Sequence, residues 1–211
     1  MDLPAAFDEI YKKAYWRQGE SLSGVGSEGL WADLYCAAVE GLVSQYGFQY
    51  AVDAGCGDFR VGQQLAPLFQ KYYAVDVSSF IIQKNILKFS DLPNVEFRQV
   101  NLVEQLVPRV DLIMIRQVMQ HLTNQQISAI LENFRLSGSA YLLVAEENPS
   151  KPFLPNKDLA SHSVLTRIDI DSGVDVSSSP FGLKGEVVAR FASEAGDKGK
   201  SVLVLQLIKL Q

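Results

Sequence analysis

Two glycines and two carboxylates in the first half of the sequence have the types and spacing of a ligand-binding unit. Asp53 follows the apolar run Tyr50–Val52, and the chain then turns through Gly55 and Gly57. Glycines at such a turn let backbone N–H groups approach a ligand closely. Asp76 ends the next apolar run, where a βαβ unit has the carboxylate that accepts hydrogen bonds from ribose hydroxyls. The spacing predicts a strand, turn, helix and second strand that hold a nucleoside-containing ligand.

The residues of the turn argue against a dinucleotide. A G-x-G-x-x-G motif that begins at Gly55 would need a third glycine where the chain has Arg60, and Phe59 stands before it. A pyrophosphate would find poor access to this turn. An NAD(P)-dependent oxidoreductase is disfavoured for the same reason and because the chain lacks a Tyr-x-x-x-Lys pair. A ligand with adenosine but no phosphate needs only two glycines and the ribose carboxylate, and S-adenosylmethionine (SAM) is such a ligand.

Three motifs of this sequence resemble those of class I SAM-dependent methyltransferases. The segment VDAGCGDFRVG (residues 52–62) is similar to their first motif, and YYAVDVS (residues 72–78) to the acidic end of their second strand. The segment VMQHL (residues 118–122) resembles their fourth motif, with Met119 in place of the usual leucine. The resemblance implies a methyltransferase that uses SAM. The alternative is a tight βα turn in some other α/β protein.

The loop from Trp16 to Ser27 resembles the W-x-x-x-E-S-x-S-G-x-G-S segment of a bacterial group of these methyltransferases, which lies over the cofactor as a lid. A loop that serves only as a flexible connection is the alternative. The matching residues that we expect in the lid or near the substrate are Trp16, Glu20, Ser21 and Ser23.

The resemblance also implies the contacts with the cofactor. Asp53 would orient the methionine end of SAM, and Asp76 would accept hydrogen bonds from both ribose hydroxyls. Asn101 stands where the family has a polar side chain for the adenine amino group, and Arg17 or Arg60 would pair with the methionine carboxylate. The predicted cofactor-binding residues are Asp53, Gly55, Cys56, Gly57, Arg60, Asp76, Val77, Asn101, Leu102, Arg116 and Gln117; no metal ligand is predicted.

Catalysis needs little beyond alignment, because the methyl group of a sulfonium is already activated. A base helps if the acceptor is a hydroxyl or a protonated amine. His121, next to the fourth motif, is the candidate base or acceptor-positioning residue; alternatively it binds a backbone carbonyl or stacks on adenine. His162 either faces the acceptor or is an exposed loop residue. Glu146 and Glu147, at the end of the fifth predicted strand, either meet the acceptor or charge the rim.

The elements that position these residues alternate between strand and helix along most of the chain. This pattern predicts an α/β fold: a Rossmann-like, doubly wound seven-stranded sheet, mostly parallel with a C-terminal antiparallel strand, and helices on both faces. We expect one domain over residues 1–211. Its parts are an N-terminal helical lid (1–48), a cofactor-binding core (49–147), an irregular substrate-side segment (148–185) and a C-terminal hairpin (186–211).

Apolar periodicity also predicts which helix faces are buried. We expect a helix from Leu30 to Tyr46 that ends at Gly47. A further helix should follow the glycine turn, and another should begin after Ser78 or Ser79. The inward residues predicted for these three helices are Leu34, Ala38, Leu42 and Val43; then Val61, Leu65 and Leu68; then Phe80, Ile81 and Leu87.

Composition limits the possible partners. A net charge of −5 over 211 residues gives no basic field for nucleic acid. No long apolar run suits a membrane span, and Cys36 and Cys56 are expected to be reduced thiols, which together predict a cytoplasmic protein. The expected partner is a small-molecule acceptor. A methyltransferase-like binding module without activity remains the alternative of a different class.

Overall fold

A seven-stranded sheet forms the centre of the fold. The computed structural model describes residues 2–17, 19–162, 164–192 and 201–210. The strands are β1 (Tyr50–Ala54), β2 (Lys71–Asp76), β3 (Val95–Gln99), β4 (Leu112–Arg116), β5 (Tyr141–Pro149), β6 (Gly185–Ala192) and β7 (Ser201–Lys209). Their order is β3-β2-β1-β4-β5-β7-β6, in which β1 to β5 pair in parallel and β7 is antiparallel to both neighbours. The predicted fold class is confirmed.

Helices cover the sheet and connect its parallel strands. They are α1 (Leu3–Lys12), α2 (Gly29–Tyr46), α3 (Gly62–Leu65), α4 (Ser79–Lys88) and α5 (Asn124–Leu136). The side chains of Ser78 and Thr123 cap α4 and α5, because each accepts a hydrogen bond from a backbone N–H group in the first turn of its helix. Gly47 ends α2 in the left-handed conformation, as predicted. Within the described residues, no helix is long and apolar enough to cross a bilayer.

Two of the predicted helix faces, those of α2 and α4, are wrong in detail. In α2 the buried residues are Ala32, Tyr35, Val39 and Leu42, so the inward face is rotated from the one predicted. A largely apolar helix has no sharp polar face, and periodicity alone cannot fix its rotation. In α4, Leu87 is 81% exposed, while Ile82 and Asn85 are buried beside Ile81.

The helix predicted after the glycine turn is a single α-helical turn followed by a 3₁₀ segment, Ala66–Leu68. Pro67 explains the early end, because it has no N–H with which to continue the helical hydrogen-bond ladder. Leu65 is buried as predicted, and Leu68 is only partly buried.

The hydrophobic core lies on both faces of the sheet. In β4, Leu112 and Met114 face one core cluster, and Ile113 and Ile115 face the other. All four side chains are buried, as expected for a central parallel strand. The core on both faces fixes β4 and β1, and therefore the positions of the loops at their carboxyl ends.

The segment between β5 and β6 is irregular, as predicted, apart from the 3₁₀ helix Arg167–Ile170. Arg167 is fully buried and donates hydrogen bonds to the backbone carbonyls of Lys157 and Leu122. The bond to Leu122 joins the segment to the loop after β4. Val164, Thr166 and Ile168 consequently face the same cavity as the strand ends.

Candidate functional site

A cavity of about 760 Å³ opens at the carboxyl ends of the parallel strands. Gly55 after β1, Asp76 at the end of β2, Gln117 after β4 and Glu147 of β5 all line it. The chain builds outward from β1 to β2 and β3 on one side and then crosses back from β3 to β4 on the other side of β1, so the order of the strands reverses between β1 and β4. Ligands of open α/β sheets bind at such a switch point.

The turn after β1 holds its backbone close to the cavity. Gly55 and Gly57 have φ angles of +84° and +54°, which favour glycine. The N–H groups of Gly55 and Cys56 both donate to the Val75 carbonyl, at 2.8 and 2.9 Å. A β-carbon on Gly55 would lie 2.3 Å from a methyl carbon of Val118. Only a residue without a side chain therefore fits between the two loops.

Asp76 joins this turn to β2. Its carboxylate accepts hydrogen bonds from the backbone N–H of Gly57 at 3.0 Å and from that of Ser78 at 2.9 Å. The nearby hydroxyl of Tyr11 also favours the ionised form of Asp76. Burial raises the pKa of Asp76 to about 6, although these hydrogen bonds oppose the shift. Ser78 itself caps α4, so Asp76 lines the cavity without being needed for that cap.

Two of the predicted cofactor residues lie outside the cavity lining. Burial raises the pKa of Asp53 to about 6, but Asp53 does not line the cavity. The amide oxygen of Asn101 accepts a hydrogen bond from the N–H of Val103 at 3.2 Å, within its own turn. Its neighbour Leu102 does line the cavity. Because Asn101 follows β3, its sequence position indicates that it lies at the carboxyl edge of the sheet. The sequence does not indicate in which direction its side chain points.

The predicted lid contacts the glycine turn through Asp58. One carboxylate oxygen of Asp58 accepts hydrogen bonds from the Ser21 hydroxyl at 3.0 Å and the Leu22 N–H at 2.8 Å. The Asp58 N–H donates to the Ser23 hydroxyl at 2.9 Å. Ser23 lines the cavity, whereas Ser21 is buried behind it. The segment is therefore docked on the turn and is not a free connection.

Arg60 forms a second connection between the predicted lid and the glycine turn, through ion pairs. Its guanidinium pairs with Glu20 at 2.8 Å and with Glu28 at 3.3 Å. Arg60 and Glu28 line the cavity, but Glu20 does not. Arg60 is thus already neutralised by two carboxylates.

Arg116, at the end of β4, has only neutral partners. Its guanidinium donates to the Gly26 carbonyl at 2.8 Å, the Gln117 amide oxygen at 2.9 Å and the Ser27 hydroxyl at 3.1 Å. It also lies 5.5 Å from the ring centroid of Tyr35. In the described part of the chain, no carboxylate oxygen lies within 4.0 Å of Arg116. Arg116 lines the cavity and can accept an anionic group.

The backbone is strained directly after β4. Gln117 has a φ of +54°, which is uncommon for a residue with a side chain. Its amide oxygen accepts from Arg116, and its amide nitrogen lies 3.5 Å from the Glu147 carboxylate. Both Gln117 and Glu147 line the cavity. Strain at such a position is characteristic of functional sites.

Glu146 fixes the loop that carries His121. Its carboxylate accepts hydrogen bonds from the backbone N–H groups of Val118, Met119 and Gln120, at 3.2, 2.9 and 3.3 Å. Burial raises the pKa of Glu146 to about 8 against these three bonds. Glu146 therefore neither meets the acceptor nor charges the rim.

His121 lines the cavity in a mainly aromatic setting. Its ring lies 4.7 Å from the ring of Trp16, and its Nδ1 lies 3.1 Å from the Leu165 carbonyl oxygen. The contact with a backbone carbonyl, one of the alternatives predicted from the sequence, is present, and the ring of Trp16 is tilted by 35° against that of His121. His162 does not line the cavity, and its ring lies 6.5 Å from that of Phe7. The structure thus brings His121 and Trp16 together at the cavity and leaves His162 outside it.

Several cavity-lining residues had no signal in the sequence. Tyr11 belongs to α1, outside every motif, yet it lines the cavity and its hydroxyl favours the ionised form of Asp76. Trp31 belongs to α2, and Ser201 begins β7, far along the chain from the motifs. Only the packing of the N-terminal segment and the hairpin onto the sheet brings these residues to the site.

Residues 52–137 match a family model described as a methyltransferase domain. This region contains the glycine turn, Asp76, the end of β4 and His121. The match supports the resemblance to methyltransferases over these residues. No curated protein matches the sequence.

Solved structures extend the likeness to nearly the whole chain. The N-methyltransferase NodS from Bradyrhizobium japonicum WM9, in complex with S-adenosylhomocysteine (SAH), is 11% identical with a TM-score of 0.68, covering 95% of this chain and 99% of that one. Magnesium protoporphyrin IX methyltransferase (ChlM) from Synechocystis PCC 6803, with bound SAM, is 13% identical with a TM-score of 0.60, covering 98% and 95%. The methyltransferase domain of bacterial CtHen1 is 18% identical with a TM-score of 0.60, covering 84% and 98%. At these identities the likeness shows a shared fold.

Proposed function

We propose that this protein is a SAM-dependent methyltransferase that acts on a small molecule or on a small acceptor group of a larger one. The observation that carries the proposal is the cavity in which the glycine turn, Asp76 and the end of β4 meet. The matched methyltransferase domain supports the reaction, and the solved structures with bound SAM and SAH support the cofactor.

The adenosine end of SAM is assigned to the side of the cavity at β2. The carboxylate of Asp76 accepts hydrogen bonds from the ribose hydroxyls, and Val77 and Leu102 contact the adenine through apolar surface. Asn101 is not needed for the adenine in this assignment, because its amide oxygen is used within its own turn.

The methionine end is assigned to the side at β1 and β4. Arg116 pairs with the methionine carboxylate in place of Arg17 or Arg60, because Arg116 carries only neutral partners and Arg60 is held by two glutamates. Asp53 acts from outside the cavity, behind the glycine turn.

The chain supports methyl transfer mainly through alignment and the exclusion of water. Glu146 holds the loop after β4 by its three hydrogen bonds, and this loop carries His121 to the cavity. Trp16 packs on His121 and donates a hydrogen bond to the Val164 carbonyl at 3.2 Å. The lid, the loop and the irregular segment thereby form one wall around the transferred methyl group.

The proposal is tested by titration calorimetry of the purified protein with SAM, SAH and NAD. We expect micromolar binding of SAM and SAH and none of NAD. In an Asp76→Ala variant whose circular dichroism is unchanged, SAH affinity should fall at least about tenfold, because the ribose hydroxyls lose a charged acceptor.

Three outcomes separate the alternatives. NAD binding in preference to SAH would favour an oxidoreductase. SAH binding that is unaffected by Asp76→Ala would contradict the site assignment. Absence of binding by a folded protein would favour a methyltransferase-like module without the cofactor.

A further inference from the structure

The charged side chains of the cavity can be assigned one by one, and a single carboxylate is left over. Arg60 and Glu28 form an ion pair, and Asp58 holds the lid. Asp76 is assigned to the ribose and Arg116 to the methionine carboxylate. In the described part of the chain, the charged residues that line the cavity are Glu28, Asp58, Arg60, Asp76, Arg116 and Glu147. Glu147 therefore has no role in the binding of SAM.

Glu147 is held in the cavity wall by neutral groups. The hydroxyl of Ser201 donates to one of its carboxylate oxygens at 2.5 Å, and the amide of Gln117 approaches the other at 3.5 Å. Of the described residues, none with a positive charge lies within 4.0 Å of Glu147. A carboxylate has about four lone-pair sites, so it can accept further hydrogen bonds from a ligand.

Glu147 lies on the side of the cavity opposite to the one assigned to the adenosine. It lies in β5, on the far side of β4 from β1 and β2. Its neighbour Gln117 follows β4 directly, at the strained backbone position. The nucleophile must reach this side of the cavity, since the adenosine occupies the side at β2.

The rest of this cavity is largely apolar and aromatic. Its walls away from the strand ends are formed by the side chains of Trp16, Trp31, Leu30 and Val164. Such walls suit an organic body, and indole faces also attract cations. A negative charge at one end of an aromatic cavity is complementary to a molecule with an apolar body and a positively charged end.

We propose that the acceptor is an amine with an apolar or aromatic body and that the carboxylate of Glu147 binds its nitrogen. This inference rests on the proposed function. The ammonium first loses a proton to water, and the nitrogen lone pair then forms a bond to the methyl carbon. The S–C bond breaks, its electron pair stays on sulfur, and SAH and a methylammonium product result.

The carboxylate favours this reaction through charge. Positive charge leaves the sulfur and develops on the nitrogen as the new bond forms. A fixed negative charge next to the nitrogen therefore stabilises the transition state more than the neutral amine. A hydroxyl acceptor would develop less positive charge beside Glu147 and would gain less from it.

The test compares 2-phenylethylamine with its hydroxyl analogue 2-phenylethanol. Each is titrated calorimetrically into protein saturated with SAH. The variants are Glu147→Gln, Glu147→Asp and the control Glu40→Gln, which removes an equal charge from an exposed position on α2. SAH affinity is measured first for every variant, and it also reports whether the fold is intact.

We expect the amine to bind the wild type and Glu40→Gln, and to bind Glu147→Gln at least about tenfold more weakly, as for the loss of one charge-assisted hydrogen bond. Glu147→Asp should be intermediate, and the alcohol should bind all of them equally weakly. No amine binding to the wild type, equal binding of alcohol and amine, or an unchanged amine affinity in Glu147→Gln would overturn the proposal. Loss of SAH affinity in Glu147→Gln would assign Glu147 to the cofactor and would also overturn it. A wild type that does not bind SAH would instead overturn the proposed function on which it rests.

Discussion

The raised pKa of Asp76 predicts that SAH binding depends on pH. Burial raises this pKa to about 6 in the protein without ligand. The ionised carboxylate is the form that accepts hydrogen bonds from both ribose hydroxyls, so a protonated Asp76 must lose its proton when SAH binds. SAH affinity should therefore be constant above this pKa and should fall as the pH decreases through it.

The size of the effect follows from the pKa. At about one unit above it, roughly nine tenths of the molecules carry ionised Asp76, and at about one unit below it roughly one tenth do. The apparent affinity scales with this fraction, so it should fall about tenfold between about pH 7 and about pH 5. This loss equals about 1.4 kcal/mol of binding free energy.

Calorimetry with SAH across this pH range, in buffers of different ionisation enthalpy, measures both the affinity and the protons released. Asp53, with a pKa also raised to about 6, titrates in the same range. Asp76→Asn is the decisive variant, since its weaker binding should no longer depend on pH, while Asp53→Asn should keep the dependence. A flat profile in the wild type, or an unchanged slope in Asp76→Asn, would refute the reasoning.

Three further predictions concern the lid, the methionine end and stability. Asp58→Ala removes the acceptor for Ser21 and Leu22 and should weaken SAH binding by roughly tenfold, measured by calorimetry, with little change in the unfolding midpoint. Arg116→Met should weaken the binding of SAH but not that of adenosine; an equal loss for both ligands would contradict its assignment to the carboxylate. The pKa values of Asp53 and Asp76 are higher in the folded protein than in the unfolded chain, so the folded state binds more protons. Urea unfolding should therefore give a free energy of unfolding that is larger near pH 5 than near pH 7, by about 1 kcal/mol for each of the two residues. Without such a gain, the pKa of these groups is not raised.

The sequence was sufficient to predict the sheet and the turn at its centre. The βα turn requires glycine at Gly55 for a local reason, because its positive φ and the contact with Val118 leave no room for a side chain. Local requirements of this kind are visible in a sequence motif. The alternation of strands and helices likewise predicted the topology, since parallel strands need long crossover connections and these are usually helical.

The residues of the acceptor side could not be predicted in the same way. Ser201 reaches Glu147 only because β7 pairs with β5, and the predicted hairpin did not specify the register between them. Tyr11 lines the cavity because α1 packs near α4, a contact between residues far apart in the chain. The faces of α2 and α4 were wrong because burial there depends on neighbouring elements and not on periodicity.

The contacts of the lid explain how the site can both admit and enclose its ligand. The Glu20–Arg60 pair is exposed, with 86% of the Glu20 side chain accessible, so it contributes little to closure. The bonds to Asp58 and the packing of Trp16 on His121 are more shielded, and they form on the cavity side. We therefore expect a ligand that contacts Ser23 and Trp16 to stabilise the docked arrangement of this segment without having to break a strong ion pair. Because Trp16 also contacts the ring of His121, we expect a ligand that packs on Trp16 to hold His121 in place as well.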